Sequence, residues 1–384
     1  MAVRGGGVIG LSVALFAARA GYSVSVFDHA SPHAGSRVAG GMLAPLTEAW
    51  PGEEAVVAQG VEALARWPAF AESIGVELFT AGTLAVGTQP GDLADLRHAG
   101  ELLTSREIRA LEPSLGPAVR GGVYASGDLA VDNRALLSAL WKACREAGVV
   151  SDVDGRVQVI AAGAWSGQLH PALRDVIRPV KGEILRLTHR PGALPPPRHT
   201  IRALVSGRPV YLVPREDGLV VGATQYEAGF DTDVSVAGVR DLLRDAETVL
   251  PGIAEYALAE AAVGFRAGSP DNVPIVRWLE PGVIAATGHH RNGLLLAPHT
   301  ARQVVELLEE EARESTGQRH FSRLGRRHVG CRGGVARGGT GQGRGRGAGR
   351  RRGAQGVVGQ DDRAGRRRGR GADRGPGRLT WTIR

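Results

Sequence analysis

The chain of 384 residues holds two cysteines, Cys144 and Cys331. That count excludes a disulfide framework and makes a reducing cytoplasm the expected compartment. The paired-cysteine spacings that hold structural zinc are missing, and no other metal cluster is visible. No apolar run is long enough to span a bilayer, so no membrane association is expected. The first apolar run has no basic segment ahead of it and carries glycines in a motif, so a signal peptide is not expected.

The net charge of +8 misleads unless it is divided. From Glu311 to Arg384 there are 20 Arg, no Lys and 5 acidic residues, a net charge of +15, which leaves −7 on the remainder. The body is therefore mildly acidic, and the high isoelectric point belongs to the tail. In that tail Gly and Arg recur without helical or strand periodicity, and disorder is expected. An Arg/Gly segment can neutralise phosphates and stack on bases. This one has only Phe321 and Trp381 as aromatics, which disfavours a stacking platform for nucleic acid. A solvated extension, or an out-of-frame read of a GC-rich gene, explains the bias as well.

Before residue 311 strands and helices are mixed, with no repeat. Residues 8–20 are an apolar helix pattern that stops at Gly21, and 22–27 read as a strand. Residues 53–72 are expected to be helical, and 76–87 to form a hairpin or short strands. A helix over 133–147 is capped by Asp132 or Asn133. Residues 157–161, 182–187, 210–213, 219–224 and 283–287 read as strands, and a helix follows from about 292 to 311. Strand–helix alternation at both ends brackets a β-rich middle, as in a nucleotide-binding lobe interrupted by a second lobe.

Gly5-Gly6-Gly7-Val8-Ile9-Gly10 satisfies G-x-G-x-x-G, which by itself is weak. Its context adds weight: a helix follows at once, then Gly21, then a strand ending at Asp28. Gly5 permits the tight turn, Gly7 lets backbone approach a pyrophosphate, and Gly10 lets helix and strand pack closely. The helix N-terminus offers N–H groups and partial positive charge to phosphates. Asp28, 18 residues after Gly10, is placed to accept from ribose hydroxyls. One feature runs against the pattern. The strand ahead of Gly5 has only Met1–Arg4, and Arg4 does not suit a buried parallel strand. A frayed edge or an upstream start is the expectation there.

The motif alone does not separate NAD from FAD. Five further segments do so by resemblance: AGGMLAP at 39–45, AAGAWSG from Ala161, YLVPREDGLVVGAT from Tyr211, GFRAGSPDNVPIV from Gly264 and GHHRNGLLLAP from Gly288. Together, over residues 1–310, they resemble the D-amino-acid-oxidase family of flavoproteins, and within it the glycine-oxidising branch of thiamine synthesis. The resemblance implies FAD as cofactor. It implies an α/β fold in which a Rossmann-like FAD-binding domain is interrupted by an α+β, mixed-sheet substrate domain. The parts are 1–75, 131–177 and 269–310 for FAD, 76–130 and 178–268 for substrate, and 311–384 as a disordered basic tail.

Residue by residue, the resemblance places Gly5, Gly7, Val8, Ile9, Gly10, Asp28, His29, Gly40, Gly41, Met42 and Gly163 against the cofactor. The turn His289, His290, Arg291, Asn292, Gly293, Leu294 and Leu295 contacts the isoalloxazine in the family. A helix N-terminus there suits the negative charge of a reduced flavin. Arg266 and Tyr211 map onto the pair that holds the substrate carboxylate, for which a guanidinium fork and a phenol donor are suited. Arg291 maps onto a second active-site arginine. Gln225 stands where the family has an apolar residue, often Met. His289 and His290 are adjacent and point differently, and no triad partner is visible.

What the resemblance implies is oxidation of glycine or a small amine, with the Cα–H transferred as hydride to flavin N5. The products are imine or glyoxylate, ammonia and hydrogen peroxide, with O2 as oxidant, and the imine supplies thiazole synthesis. Orientation and flavin electrostatics carry most of such catalysis, without a strong protein base. Homo-oligomerisation is left open. The alternatives are a related sarcosine, proline or D-amino-acid oxidase or dehydrogenase, and an Arg/Gly-tailed nucleic-acid-binding protein with a vestigial flavin lobe. The last draws on Val149–Arg156, where the family has a longer strand and hairpin and this chain has what looks like the remnant of a deletion.

Overall fold

A strand of three residues, Ala2–Arg4, lies inside the first of three sheets rather than at its edge. The computed structural model describes residues 1–326. The six strands of this sheet run in the order Ile275–Glu280, Val283–Thr287, Gln158–Ile160, Ala2–Arg4, Ser25–Phe27, Val150–Ser151. All pair in parallel except Ile275–Glu280, which is antiparallel to its neighbour. Val3 is fully buried between Val26 and Val159. The expected frayed edge is thus corrected. Arg4 is tolerated because it ends the strand, where its guanidinium lies 3.8 Å from the Phe27 ring centroid and pairs with Asp154 at 2.6 Å.

That pairing also accounts for the short segment after helix Asn133–Glu146. Val150–Ser151 closes the sheet edge beside Ser25–Phe27, the Ser25 hydroxyl donates to the Val153 carbonyl, and Asp154 reaches Arg4. The sheet is continuous across the clipped stretch.

Helices Val8–Arg19, Asn133–Glu146 and Gly293–Arg326 contribute to one core with this sheet. Leu11, Leu15, Leu136, Leu140 and Leu296 are fully buried in it, each stabilising the fold by about 2 kcal/mol through removal from water. Asp132 is the cap of the second helix, accepting from the Arg134 and Ala135 amides at 2.8 Å. The helical stretch expected over 53–72 is two helices, Glu54–Leu64 and Trp67–Ile74. Trp67 is fully buried, and its indole N–H donates to the Leu295 carbonyl at 2.9 Å.

The second sheet has eight strands, ordered Ala257–Gly268, Arg178–Thr188, Gly218–Gly222, Arg208–Arg215, Thr200–Val205, Thr83–Gly87, Gly121–Ala125, Leu103–Thr104. Residues 76–87 are not a hairpin: Leu78–Phe79 belongs to a third, three-stranded sheet with Met42–Leu43 and Leu129–Val131, and Thr83–Gly87 to the second. Helix Val236–Val249, which no sequence motif marks, packs Leu242, Ala246 and Val249 against one face of the eight-stranded sheet. Ser235 caps it by accepting from the Gly238 amide at 3.0 Å.

Strand alternation then divides the residues. Ile201, Ala203, Val210 and Leu212 face that helical core. Tyr211 and Val213 face the other way, toward Val38, Met42 and Ala44. The site lies on this second face.

The helix that begins at Gly293 runs on to Arg326, so residues 311–326 are helical rather than disordered. The Arg/Gly tail beyond lies outside the described residues. Among the described residues no helix is long and apolar enough to cross a membrane, and no group of His, Cys, Asp and Glu could hold a metal.

A Cβ at Gly10 would fall on the Gly5 carbonyl oxygen. Gly10→Ala must push helix from strand, at about 1–3 kcal/mol. A thermal midpoint about 2–5 °C lower is expected by circular dichroism. An unchanged midpoint would contradict the close approach.

Candidate active site

The glycine turn is built by contact. Gly5 has φ +130°, a conformation L side chains rarely adopt, and donates its N–H to the Phe27 carbonyl at 2.8 Å. A Cβ on Gly5 would strike the Ala161 carbonyl, and one on Gly6 would strike the Asp28 carboxylate. Asp28 therefore lies against the turn. It also accepts from the Ala30 amide at 3.0 Å and lies 3.8 Å from Arg37. His29 is exposed beside it.

Gly7 precedes the helix and has no side chain to cap it. The amides of Val8, Ile9 and Gly10 have no intrahelical carbonyl. Val8 donates to the Ser36 hydroxyl at 3.0 Å, which leaves Ile9 and Gly10 for a ligand. Ser36 was not singled out in the sequence. Gly163, with φ +56°, opens a short 3-10 helix after strand Gln158–Ile160, and its carbonyl accepts from the Thr287 hydroxyl at 3.3 Å. Thr287 ends the next strand, so this bond joins the two carboxyl ends of the parallel strands.

The turn after Thr287 is buried. His289 and His290 are 4% and 7% exposed, and burial lowers both imidazoles to about 3. Nearby Arg266, Arg291 and Arg178 depress His290 further. Both rings are therefore neutral through the working range of pH. His289 Nε2 is 2.9 Å from the Thr300 hydroxyl. His290 sits at φ +47°, and its buried Nδ1 has no hydrogen-bond partner among the described residues. Asn292, Leu294 and Leu295 are buried, and Gly293 starts the long helix.

The third part is Tyr211. A Cβ on Gly40 or on Gly222 would collide with its ring, so the phenol occupies a slot between two glycines. Gly41, at φ +92°, turns the chain there, and Met42 packs with Val213 and Tyr211. Burial raises the Tyr211 pKa, countered by Arg266, so the phenol is a neutral donor. The Arg266 guanidinium lies over Gly182 and donates to the Thr224 carbonyl at 3.2 Å, next to Gln225. Among the described residues it has no carboxylate partner, and burial lowers its pKa. Arg291 is differently placed. It is paired with Glu53, donates to the Glu48 carbonyl at 2.9 and 3.2 Å, and lies 4.6 Å from the Trp50 ring centroid.

Glu48, Glu53, Arg202 and Arg215 went unnoticed in the sequence. Arg215 pairs with Asp132 at 2.9 Å and donates to the Gly40 carbonyl at 2.7 Å, which fixes the turn against Tyr211. Arg202 stands directly opposite Tyr211 on the neighbouring strand. Strand alternation would have revealed it, since Ile201 and Ala203 on either side face the helical core.

The family model described as FAD dependent oxidoreductase matches residues 1–307. The chain is 30% identical over 357 residues to the glycine oxidase of Geobacillus kaustophilus, covering 81% of this chain and 93% of that one. It is 30% identical over 361 residues to the bifunctional protein ThiO/ThiG of Trichormus variabilis, covering 84% of this chain. This chain spans about half of that longer relative, 54% of its length. The crystal structure of the Geobacillus kaustophilus glycine oxidase superposes with a TM-score of 0.73 at 28% identity, over 80% of this chain and 94% of that one.

Asp128 supports the segment beneath the site. It accepts from the Thr47 hydroxyl at 2.6 Å, next to Glu48, and is 3% exposed. Burial raises its pKa to about 6, against the hydrogen bonds of Thr47 and Thr83. A raised carboxylic-acid pKa favours folding below the unfolded value near 4 and loses that advantage as pH rises through about 6. Asp128→Asn keeps the Thr47 bond and sheds the buried charge. It is expected to match the parent near pH 4 and to be more stable at pH 8, by up to about 3 kcal/mol, in urea unfolding. A variant less stable at both pH values would show that the carboxylate is needed ionised.

Proposed function

The chain belongs to the FAD-dependent oxidoreductase family, with FAD as its cofactor, and from that premise we propose that it oxidatively deaminates glycine or a closely similar small amino acid. We further infer that the oxidised product supplies thiazole synthesis for thiamine in the cytoplasm; similarity to the putative thiamine biosynthesis oxidoreductase ThiO of Rhizobium etli supports the link to thiamine. The observation that carries the reading is Arg266, a half-buried guanidinium with no carboxylate partner among the described residues, close to the neutral Tyr211 phenol. A substrate carboxylate satisfies both.

The residues present fit FAD. The uncapped amides of Ile9 and Gly10 suit its pyrophosphate, and Asp28, laid against Gly6, suits its ribose. The unpartnered His290 Nδ1 and the start of the helix at Gly293 suit its ring end. When bound, FAD supplies the two-electron acceptor and returns the electrons to O2.

For glycine the overall change consumes O2 and water and yields glyoxylate, ammonia and hydrogen peroxide. Arg266 and Tyr211 hold the carboxylate and so fix the Cα–H direction. With both imidazoles near 3, neither histidine serves as an acid. Arg291, committed to Glu53 and the Glu48 carbonyl, orders the 48–53 segment and adds positive charge to the site.

Anaerobic mixing of the FAD-loaded protein with glycine is expected to bleach the flavin, and with air to release peroxide and ammonia in equal amounts. No bleaching by any small amino acid would overturn the proposal. Arg266→Ala is expected to lose about 10–100-fold or more in kcat/KM, the worth of charge-assisted hydrogen bonds, while still binding FAD.

A further inference from the structure

Arg202 has no role in the reading above. It lies on strand Thr200–Val205 with Tyr211 as its cross-strand partner, and both side chains face away from the helical core. Directly opposed residues on one face are neighbours. Burial lowers the Arg202 pKa, and its electrostatic neighbours are Glu48, Arg291 and Tyr211. Those of Arg266 are the same three. The two arginines thus share Glu48, Arg291 and Tyr211 as neighbours. In sheet order Arg266 lies three strands from Tyr211 on one side and Arg202 one strand from it on the other.

The other arginines around the site have acidic partners. Arg291 has Glu53, Arg215 has Asp132, and Arg186 has Glu260 at 3.6 Å. Among the described residues the Arg202 side chain has no hydrogen bond or ion pair. Glu48 is the one carboxylate shared by Arg202 and Arg266 as an electrostatic neighbour. A guanidinium does not shed its proton, and withdrawing one from water without a counter-charge is costly. One substrate carboxylate at Arg266 leaves Arg202 without an ion pair among the described residues, with Glu48 as the carboxylate whose charge acts on it.

We propose that Arg202 is a specificity-determining residue that receives a second carboxylate, so that the preferred substrates are small amino acids carrying two carboxylates. The second group sits on the side chain or on the amine nitrogen. This rests on the proposed oxidation at the same site. It changes the substrate class and leaves the chemistry as stated.

The test compares the FAD-loaded parent, Arg202→Met and Arg202→Lys on N-methylglycine, N-carboxymethylglycine and both enantiomers of aspartate, by peroxide release. The parent is expected to favour a dicarboxylate over N-methylglycine by at least about 10-fold in kcat/KM, the worth of one charge-assisted contact. Arg202→Met is expected to abolish that ratio and Arg202→Lys to restore part of it. The aspartate and N-carboxymethyl arms show which carbon or nitrogen bears the second group. Calorimetry adds a readout without turnover: succinate is expected to bind the parent more tightly than propionate, and the two to bind Arg202→Met alike. If no amino acid is oxidised, the proposed function fails and the calorimetric comparison still decides the role of Arg202. A parent that favours N-methylglycine and binds succinate no better than propionate overturns the inference. So does an Arg202→Met variant with the parent's selectivity.

Discussion

The distance between the first helix and the first strand is set by two glycines that touch. Gly10 lies on the Gly5 carbonyl, and Gly5 lies on the Ala161 carbonyl. Strand Ala2–Arg4, helix Val8–Arg19 and strand Gln158–Ile160 are thereby drawn together more closely than any side chain would allow. The helix that results is almost wholly buried, and its uncapped amides emerge at the carboxyl ends of parallel strands. The same device recurs at the far end of the site, where Gly40 and Gly222 leave room for the Tyr211 ring and Gly182 for the Arg266 guanidinium. Backbone contact positions both ends of the proposed substrate–cofactor axis.

Charge is the second constraint, and it follows from the first. Packing of this density brings several part-buried arginines to one region. Arg215 keeps Asp132, although burial still lowers it to about 10, and Arg291 keeps Glu53. Arg266 and Arg202 have no such partner. Burial holds His289 neutral, and burial together with nearby positive charge holds His290 neutral. The charge balance of the candidate site suits an anion, with no acid of its own on the imidazoles, as the proposed oxidation of a carboxylate-bearing amine requires.

The clipped stretch after helix Asn133–Glu146 shows how little sequence an edge strand needs. Val150–Ser151 supplies two residues of pairing, and the Asp154–Arg4 ion pair secures the next turn. Arg4 is out of place in a buried strand read along the sequence. It is accommodated because the strand stops there and its side chain turns onto Phe27. The edge pairing joins Ser25 to Val150 and the ion pair joins Arg4 to Asp154, contacts between residues more than 100 apart that local patterning does not encode.

Much of the cofactor end was legible along the chain. G-x-G-x-x-G, the apolar helix, Gly21 and the acid at 28 follow one another locally, and each position has a steric or electrostatic reason. The turn at 288–295 and the Tyr211 and Arg266 segments were legible through resemblance, because their residue types carry the chemistry. The helix at Val236–Val249 had the spacing Val239, Leu242, Ala246, Val249 in plain sight but no neighbouring motif to draw notice. By itself, the sequence determined where backbone must approach backbone and which residues can hold a carboxylate or a pyrophosphate. Only the tertiary structure decided which arginine meets which acid. Arg291 and Arg202 look alike in sequence, yet one is locked to Glu53 and the other faces Tyr211 unpaired, because partners for buried charge are assigned across strands and loops distant in the chain.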